Sequence, residues 1–567
     1  MRTGRMSARV SSRAPAANMT DDKRERTVSF IQAVAGCTNE KPADLSSRNE
    51  QSLSSSHKDN PNEENAFGMP TETSSIGANF EHDHGVCEAN EKIPTWKDFS
   101  NYVTLHGFHY IFEGRRLSWA RATWLFLLII CTGYVVYSLC CSIIKYFDYP
   151  IATVLRIEYP VDNMPFPAVT LCPLTTITNS KASMKDDHPS FNKLGLNIDA
   201  CKATAAVRAG RPCGEALLCC CANIVTSIRG VVDNCTEEYR NELTEALKAS
   251  DFSFNNRDFF RAFGPNMNKM IIPRTCEFGS LDKRCSHNDF VPVFTDDGIC
   301  YSFNSEPGEK MLNVSYGDIT GGLFLMLDLM VDDHLYGLIS DGVRILVHNQ
   351  GEYVNPWNGI LVAPGTHAQI SVTRNVYRNK MAPYETNCDD SKRLASFQTY
   401  TSEGCFYECI SNMTFEACKC RAIGVSGNSD DRVCFRQDDE CVYQVITDLF
   451  DGVLDNTCVC PMACDVVSYE TTVSTASFPN PSMIKILRNS GYNKTKDYFR
   501  ENLVYLQIGY KSFSYNHHRQ KAQYDSGALL GEIGGNLGLF LGCSILTICE
   551  FVHFIIYICY IRHKKKT

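Results

Sequence analysis

The last apolar stretch, residues 526–561, constrains this 567-residue chain more than any other feature. It reads SGALLGEIGGNLGLFLGCSILTICEFVHFIIYICYI and is 36 residues long, with two acids, Glu532 and Glu550, and no Lys or Arg before Arg562. As one helix it would measure ~54 Å, beyond the ~30 Å hydrocarbon core of a bilayer, which predicts a membrane span that protrudes from the lipid. Gly531, Gly534, Gly535, Gly538 and Gly542 make overlapping small-xxx-small steps, which let helices approach closely in lipid. Glycine is costly in a helix interior, so five of them within twelve residues need a compensating role. Glu532 and Glu550 are 18 residues apart, a whole number of turns, so a continuous helix carries both on one face. An ionisable group inside a span usually faces a bundle interior or a water-filled path. One acidic face, one glycine-rich face and apolar residues elsewhere point to a helix lining a cation pathway. The plainer alternative is a tightly packed anchor with a glutamate at each interface.

Charge and cysteine placement give the topology. The net charge of −9 offers no argument for a nucleic-acid partner. Of 28 cysteines, two precede residue 90, three lie in each apolar stretch, and the remaining 20 fall between Cys172 and Cys464. That even number, at that density, predicts a disulfide framework in an oxidising compartment. The first residues are basic but have no apolar signal segment, so export of the middle needs an internal span. Residues 124–144 (WLFLLIICTGYVVYSLCCSII) supply it. Arg115, Arg116 and Arg121 precede this span, and Arg562, Lys564, Lys565 and Lys566 follow the last one. The positive-inside rule then puts both termini in the cytoplasm of a plasma-membrane protein. Four sequons, at Asn234, Asn313, Asn412 and Asn493, fall in the exported part, whereas one at Asn18 does not.

The chain therefore divides into a cytoplasmic segment over 1–120, disordered to about 92, and a first transmembrane helix over 121–146. A large disulfide-rich α+β extracellular domain covers 147–524, a pore-lining helix 525–561, and a basic cytoplasmic tail 562–567. Strand patterns recur at ATVLRIEY, FPAVTLC, GICYSFNS, GLFLMLDLMV, GVRILVHN, THAQISVTRNVYR, VVSYETTVSTASFP and ENLVYLQIGYKSFSYN, which predicts a largely antiparallel sheet core. EEYRNELTEALKA reads as helix. Cys213, Cys219, Cys220, Cys221 and Cys235 crowd together, and consecutive cysteines suit disulfides to different partners better than one metal site. Residues 388–464 hold ten cysteines: Cys388, Cys405, Cys409, Cys418, Cys420, Cys434, Cys441, Cys458, Cys460 and Cys464. Their spacings do not match structural zinc knuckles, so five disulfides and a stiff, thumb-like subdomain are expected. Cys172 and Cys300 join the disulfide candidates.

Several of these segments together resemble the epithelial sodium channel/degenerin/acid-sensing ion channel superfamily over about residues 95–562. They are His106-Gly107, FPAVTLC, CYSFNS, CVCPMAC followed by SYETTVSTASFP, and LLGEIGGNLGLFLGCSILTICE. The resemblance implies a homotrimer or heterotrimer around a central pore, blocked by amiloride and needing no cofactor. It places a selectivity belt at Gly542, Cys543 and Ser544, where the helix breaks and carbonyls face permeant sodium; no structural metal is implied. Cys543 departs from the commoner Gly-Ala-Ser or Gly-Ser-Ser but is small enough to keep the geometry. The resemblance makes Glu532 and Glu550 pore acids and His106, Gly107 and Ala528 gating positions. Tyr146, Phe147 and Tyr149 are expected to meet Tyr384 near the membrane.

A sodium-selective channel is therefore expected. The long tail, the GEIGG form and the cysteine cluster at 213–235 look most like members opened by FMRFamide-type neuropeptides. The peptide site is expected within about 180–290, with its residues unidentified. Proton gating and constitutive or mechanical opening are the alternatives. An ATP-gated two-span channel shares the topology, but the strands show no clustered lysines. An adhesion ectodomain with two anchors would need neither the acids nor the glycines. No Gly-x-Ser-x-Gly, HExxH or P-loop motif favours an enzyme.

Overall fold

Two long runs with low charge become helices, and the cysteine-rich middle becomes sheet, short helices and disulfides. The computed structural model describes residues 94–112, 118–195, 199–221, 235–250, 252, 254–308, 310–335, 340–425, 431–451 and 458–564. The tail over 1–92, Arg115, Arg116, Lys565, Lys566, and the sequons at Asn18 and Asn234 lie outside the described residues. Asn313, Asn412 and Asn493 are exposed. The chain forms two units, one of residues 1–148 with 524–567 and one of residues 149–523.

In the first unit, helices cover Trp96–Ser100, Phe108–Phe112 and Ser118–Phe147, then Ser526–Leu541 and Ile545–Lys564. Ser118–Phe147 and Ile545–Lys564 are long and apolar enough to cross a membrane. The first is longer than the expected 121–146, and the terminal stretch is two helices rather than one. The phase argument that put Glu532 and Glu550 on one face therefore fails, because the break at 542–544 resets the turn count.

The second unit contains β1 (Ile151–Glu158), β2 (Met164–Pro165), β3 (Ala168–Pro173), β4 (Glu277–Phe278) and β5 (Ser280–Arg284). Next come β6 (Phe290–Thr295), β7 (Gly298–Phe303), β8 (Asn313–Val314), β9 (Leu323–Asp328) and β10 (Val343–His348). The last four are β11 (Ile360–Val362), β12 (Thr366–Arg378), β13 (Asp465–Ser477) and β14 (Leu503–Ala522). A seven-stranded sheet runs β13-β12-β14-β9-β4-β5 with β1 also on β14, and a five-stranded sheet runs β11-β10-β3-β7-β6. Pairing is antiparallel except between β12 and β14, which are parallel. Alternation explains β12, whose Ala368, Ile370 and Val372 point into the core. Central β3 is buried on both faces. Gly322 permits the close crossing of β9 and β14, since a Cβ there would run into the Ile508 carbonyl. Ile151 faces Ala522, so the two segments connecting to the apolar helices leave the sheet side by side. Tyr149 packs edge-on to Tyr384 at 5.6 Å between centroids, as expected, while Tyr146 packs on Phe147.

All 20 cysteines of this unit form disulfides. Cys405 and Cys409, one turn apart on the Ser402–Cys418 helix, bond Cys460 and Cys458. The ladder clamps that helix to the returning chain. Cys418–Cys441 ties it to the Asp439–Phe450 helix, Cys420–Cys434 closes the connection between the two helices, and Cys388–Cys464 joins the chain before the first to the chain that enters β13. Cys172 pairs with Cys300 across β3 and β7. One expectation fails: Cys220 bonds its own neighbour Cys221, while Cys219 reaches Cys235.

A buried acid pins β9 to the chain before β14. Asp328 is 2% exposed and accepts hydrogen bonds from the Tyr498 hydroxyl (2.9 Å), the Met330 N–H (3.0 Å) and the Tyr492 hydroxyl. Tyr498→Phe removes one donor from a buried carboxylate and should cost about 2 kcal/mol. The check is a lowered thermal midpoint for the detergent-solubilised protein, whereas an unchanged midpoint would show that the other donors suffice.

Candidate functional site

The break in the terminal stretch follows from three residues. Gly542 ends the Ser526–Leu541 helix in the left-handed region, at φ 59° and ψ 26°, a conformation that glycine adopts without steric cost. Its N–H reaches the Gly538 carbonyl at 3.0 Å, and the Cys543 N–H reaches Leu537 at 3.1 Å. Ser544 then starts the next helix as an N-cap. Its hydroxyl accepts from the Thr547 N–H at 3.3 Å, while the Thr547 hydroxyl accepts from the Ser544 N–H at 3.1 Å. A glycine stop and a serine start, one residue apart, leave the backbone around Cys543 irregular.

The segment before the first apolar helix closes on this break. The His106 N–H donates to the Leu541 carbonyl at 3.1 Å. A Cβ on Gly542 would overlap the His106 ring, so glycine is required there for space as well as for φ. Gly107 is also left-handed, at φ 82°, and a Cβ on it would press on Trp124 at 3.3 Å. Thr104 binds the distal helix, Ile545–Lys564, through both its hydroxyl and its N–H. Its hydroxyl lies 2.5 Å from that of Thr547, and its N–H donates to Glu550 Oε2 at 3.0 Å. Phe99 stacks on Phe554 at 4.1 Å between centroids, and both are 6% exposed.

The structure thus brings His106, Gly107, Gly542, Ser544 and Glu550 together, and adds Thr104 and Thr547, which the sequence reading missed. Thr547 had a local signal, standing three residues after a Ser at a helix start. Thr104 had none. Glu532 and Ala528 lie apart from this cluster, on the proximal helix. Glu532 accepts a hydrogen bond from the Tyr524 hydroxyl, and the Ala528 N–H is capped by Asp525 at 2.8 Å. The proximal helix meets the first apolar helix through Asn536, which donates to Ser138 Oγ at 2.8 Å, and through Phe540 against Tyr134 at 4.4 Å. The glycines do not serve that contact. A Cβ on Gly531, Gly534, Gly535 or Gly538 meets nothing within 4 Å, so among the described residues the close approach expected of them is not to another helix of this chain.

The irregular backbone, the exposed Ser544 and the half-buried Glu550 together offer carbonyl, hydroxyl and carboxylate oxygens, which suit a small hard cation. If Thr104 and Thr547 touch as described, a Thr104→Cys/Thr547→Cys pair should cross-link on mild oxidation, as read by mass spectrometry. Gly542→Ala, which forces His106 away, should lower the cross-linked fraction severalfold. An equal yield in both backgrounds would detach the segment from the break.

Comparison with known proteins points to one family. The family profile described as amiloride-sensitive sodium channel matches residues 99–554. The chain is 28% identical to acid-sensing ion channel 1C of Danio rerio over 477 residues, covering 81% of this chain and 82% of the relative. It is 28% identical to human acid-sensing ion channel 2, over 81% of this chain and 85% of the relative. The human bile acid-sensitive ion channel is 26% identical, over 81% of this chain and 85% of its own length.

Proposed function

The chain belongs to the amiloride-sensitive sodium channel family, and we propose that it is a sodium-selective, amiloride-blocked channel of the plasma membrane, opened by an extracellular FMRFamide-type neuropeptide. Both termini lie in the cytoplasm. Three copies, identical or mixed with relatives, surround one pore. The observation that carries this reading is the break at Gly542–Ser544. Irregular backbone at membrane depth is tolerated only where it lines a cavity or is buried in protein, and here it stands beside a glutamate. Carbonyls of Gly542, Cys543 and Ser544, with the Ser544 hydroxyl, replace part of the hydration shell of sodium, and rings of Glu550 and Glu532 concentrate cations and repel anions. His106 and Gly107 hold the break from the cytoplasmic side. Movement of that segment, or of Ala528 at the head of the proximal helix, changes the width of the path. The reaction has no chemical step; sodium moves down its electrochemical gradient.

The peptide stimulus is supported by the long tail and by the cysteine-dense region over 201–235, where Cys201–Cys213, Cys219–Cys235 and Cys220–Cys221 cross-link buried core. Proton gating is the second reading, favoured by the names of the relatives above.

Voltage-clamp recording from cells expressing only this chain separates the two. FMRFamide-type peptide should evoke an amiloride-sensitive sodium current and a drop to pH 5 should not. Current with acid alone would replace the peptide reading, and no current under any stimulus would remove the channel reading for the homomer. Glu550→Ala should lower sodium conductance or sodium-over-potassium preference roughly severalfold, because it removes a carboxylate ring. Ser544→Trp should abolish current at normal surface expression. Full current in the tryptophan variant would take Ser544 out of the ion path.

A further inference from the structure

We infer that a cavity of about 210 Å³ bordered by β10, β13 and the Ser402–Cys418 helix is a binding site for a small organic cation, a protonated primary amine on an apolar body. Two carboxylates, Glu352 and Glu403, line it, and its lining contains no Lys or Arg. Glu403 is held by neutral groups only, accepting from Asn355 Nδ2 at 2.7 Å and Asn358 Nδ2 at 3.4 Å. Those amides fix the carboxylate without neutralising it. The other titratable groups at the cavity are no more help. Both nitrogens of His348 are already engaged, at 2.8 Å to Thr170 Oγ1 and 2.8 Å to the Asn349 carbonyl, and burial holds its pKa below the ordinary value. Burial also holds the Tyr353 and Tyr469 hydroxyls in the neutral form, with Asp296, Glu403 and Asp297 adding negative potential at Tyr353. Burial pushes the Glu352 carboxyl up to about 7, against hydrogen bonds from Asn349, and Glu403 adds to the rise. The cavity thus presents two carboxylates, the exposed Glu403 and the partly buried Glu352, with no cation in its own lining, and Arg374 reaches it only through its hydrogen bond to Tyr469.

The shape selects the class of cation. Among the described residues, the one group of side chains close enough together to hold a metal ion is Cys420, Cys434 and Asp438, whose cysteines are bonded to each other. Glu352 and Glu403 belong to no such group. Leu346, Val354 and Val467 supply apolar wall and Tyr353, stacked on Tyr407 at 4.4 Å, an aromatic one, beside the polar Asn355, Asn358 and Ser468. A cavity of ~150 Å³ already accommodates benzene, so this one has room for a ring and an aminomethyl group. Aromatic faces and carboxylates attract the same ammonium. A ligand here bridges both sheets and the disulfide-clamped helix, whatever stimulus opens the pore.

The test uses the full chain in lipid nanodiscs at pH 8, titrated calorimetrically with benzylamine and with its neutral analogue benzyl alcohol. Benzylamine should bind roughly tenfold tighter or better, the gain expected of a partly desolvated charge pair. Glu352→Gln/Glu403→Gln should erase that preference while leaving benzyl alcohol unchanged. Asn358→Asp, which adds a third carboxylate, should strengthen benzylamine binding, a gain that misfolding cannot produce. Phenylalaninamide binding tighter than benzylamine would assign the site to the amino end of a peptide, and the reverse order to a free amine. Equal binding of amine and alcohol, a preference that survives the double glutamine variant, or calcium displacing benzylamine from the wild type would each overturn the inference.

Discussion

The hydrogen bonding of an interrupted helix governs the membrane half of this protein. Three residues of an apolar helix leave the regular pattern, and in lipid each unpaired backbone group costs several kcal/mol. The break is tolerated because almost every loose group is answered. Gly542 and Cys543 donate back into the proximal helix, Ser544 and Thr547 cap each other, and the carbonyl of Leu541 is taken by His106. The last of these partners comes from the other end of the chain, and Thr104 joins Glu550 across 446 residues of sequence. The segment before the first apolar helix is therefore part of the site. A change in its position alters the oxygens at the break directly, which gives a gate at that place a physical basis.

The second unit is built for rigidity along one path and not along others. β12 and β14 share a long parallel pairing, and β13 and β1 are added outside them, so the strands that connect to the apolar helices belong to one sheet. The cysteine ladder holds the Ser402–Cys418 helix to the chain that enters β13. Cross-links of this kind restrict the unfolded chain and fix separations in the folded one. Asp328, satisfied by two phenols and an N–H, fastens β9 to the helix before β14 with no disulfide. A displacement at the outer helices therefore moves strands as a body in preference to being absorbed locally.

Much of this was legible in the sequence, because the strongest signals were local. Alternation marked β12, continuous burial marked β3, and an even count of cysteines marked the disulfide unit. What was not legible depended on choices between residues that look alike. Six glycines stand in the terminal stretch. Their spacing alone singles out none of them, and only the family resemblance pointed to Gly542. It is the one that takes a left-handed conformation, with Ser544 capping the next helix and the His106 ring in the space a side chain would need. The count of five turns between Glu532 and Glu550 assumed an unbroken helix and failed for the same reason. Cys219, Cys220 and Cys221 have equal claims on Cys235 by spacing, and the turn at the end of the Cys213–Cys220 helix decides among them. Thr104 carries no sequence signal, since its partners are set by tertiary contact.

The remaining glycines extend the argument beyond one chain. Gly531, Gly534, Gly535 and Gly538 each raise the entropic cost of forming the Ser526–Leu541 helix, and among the described residues nothing lies within 4 Å of the space they leave. Against the first apolar helix, Asn536 and Phe540 make the contacts instead. Leu530 and Leu539, 69% and 81% exposed, provide surface suited to lipid, but bare glycine backbone is a poor match for acyl chains, which gain little by approaching it. A face of glycine next to a glutamate is offset only by something that benefits from close access to backbone, either water or another copy of the same helix. That requirement fits a helix that faces water or a second copy of itself, with fewer uncompensated costs than a lone anchor in lipid.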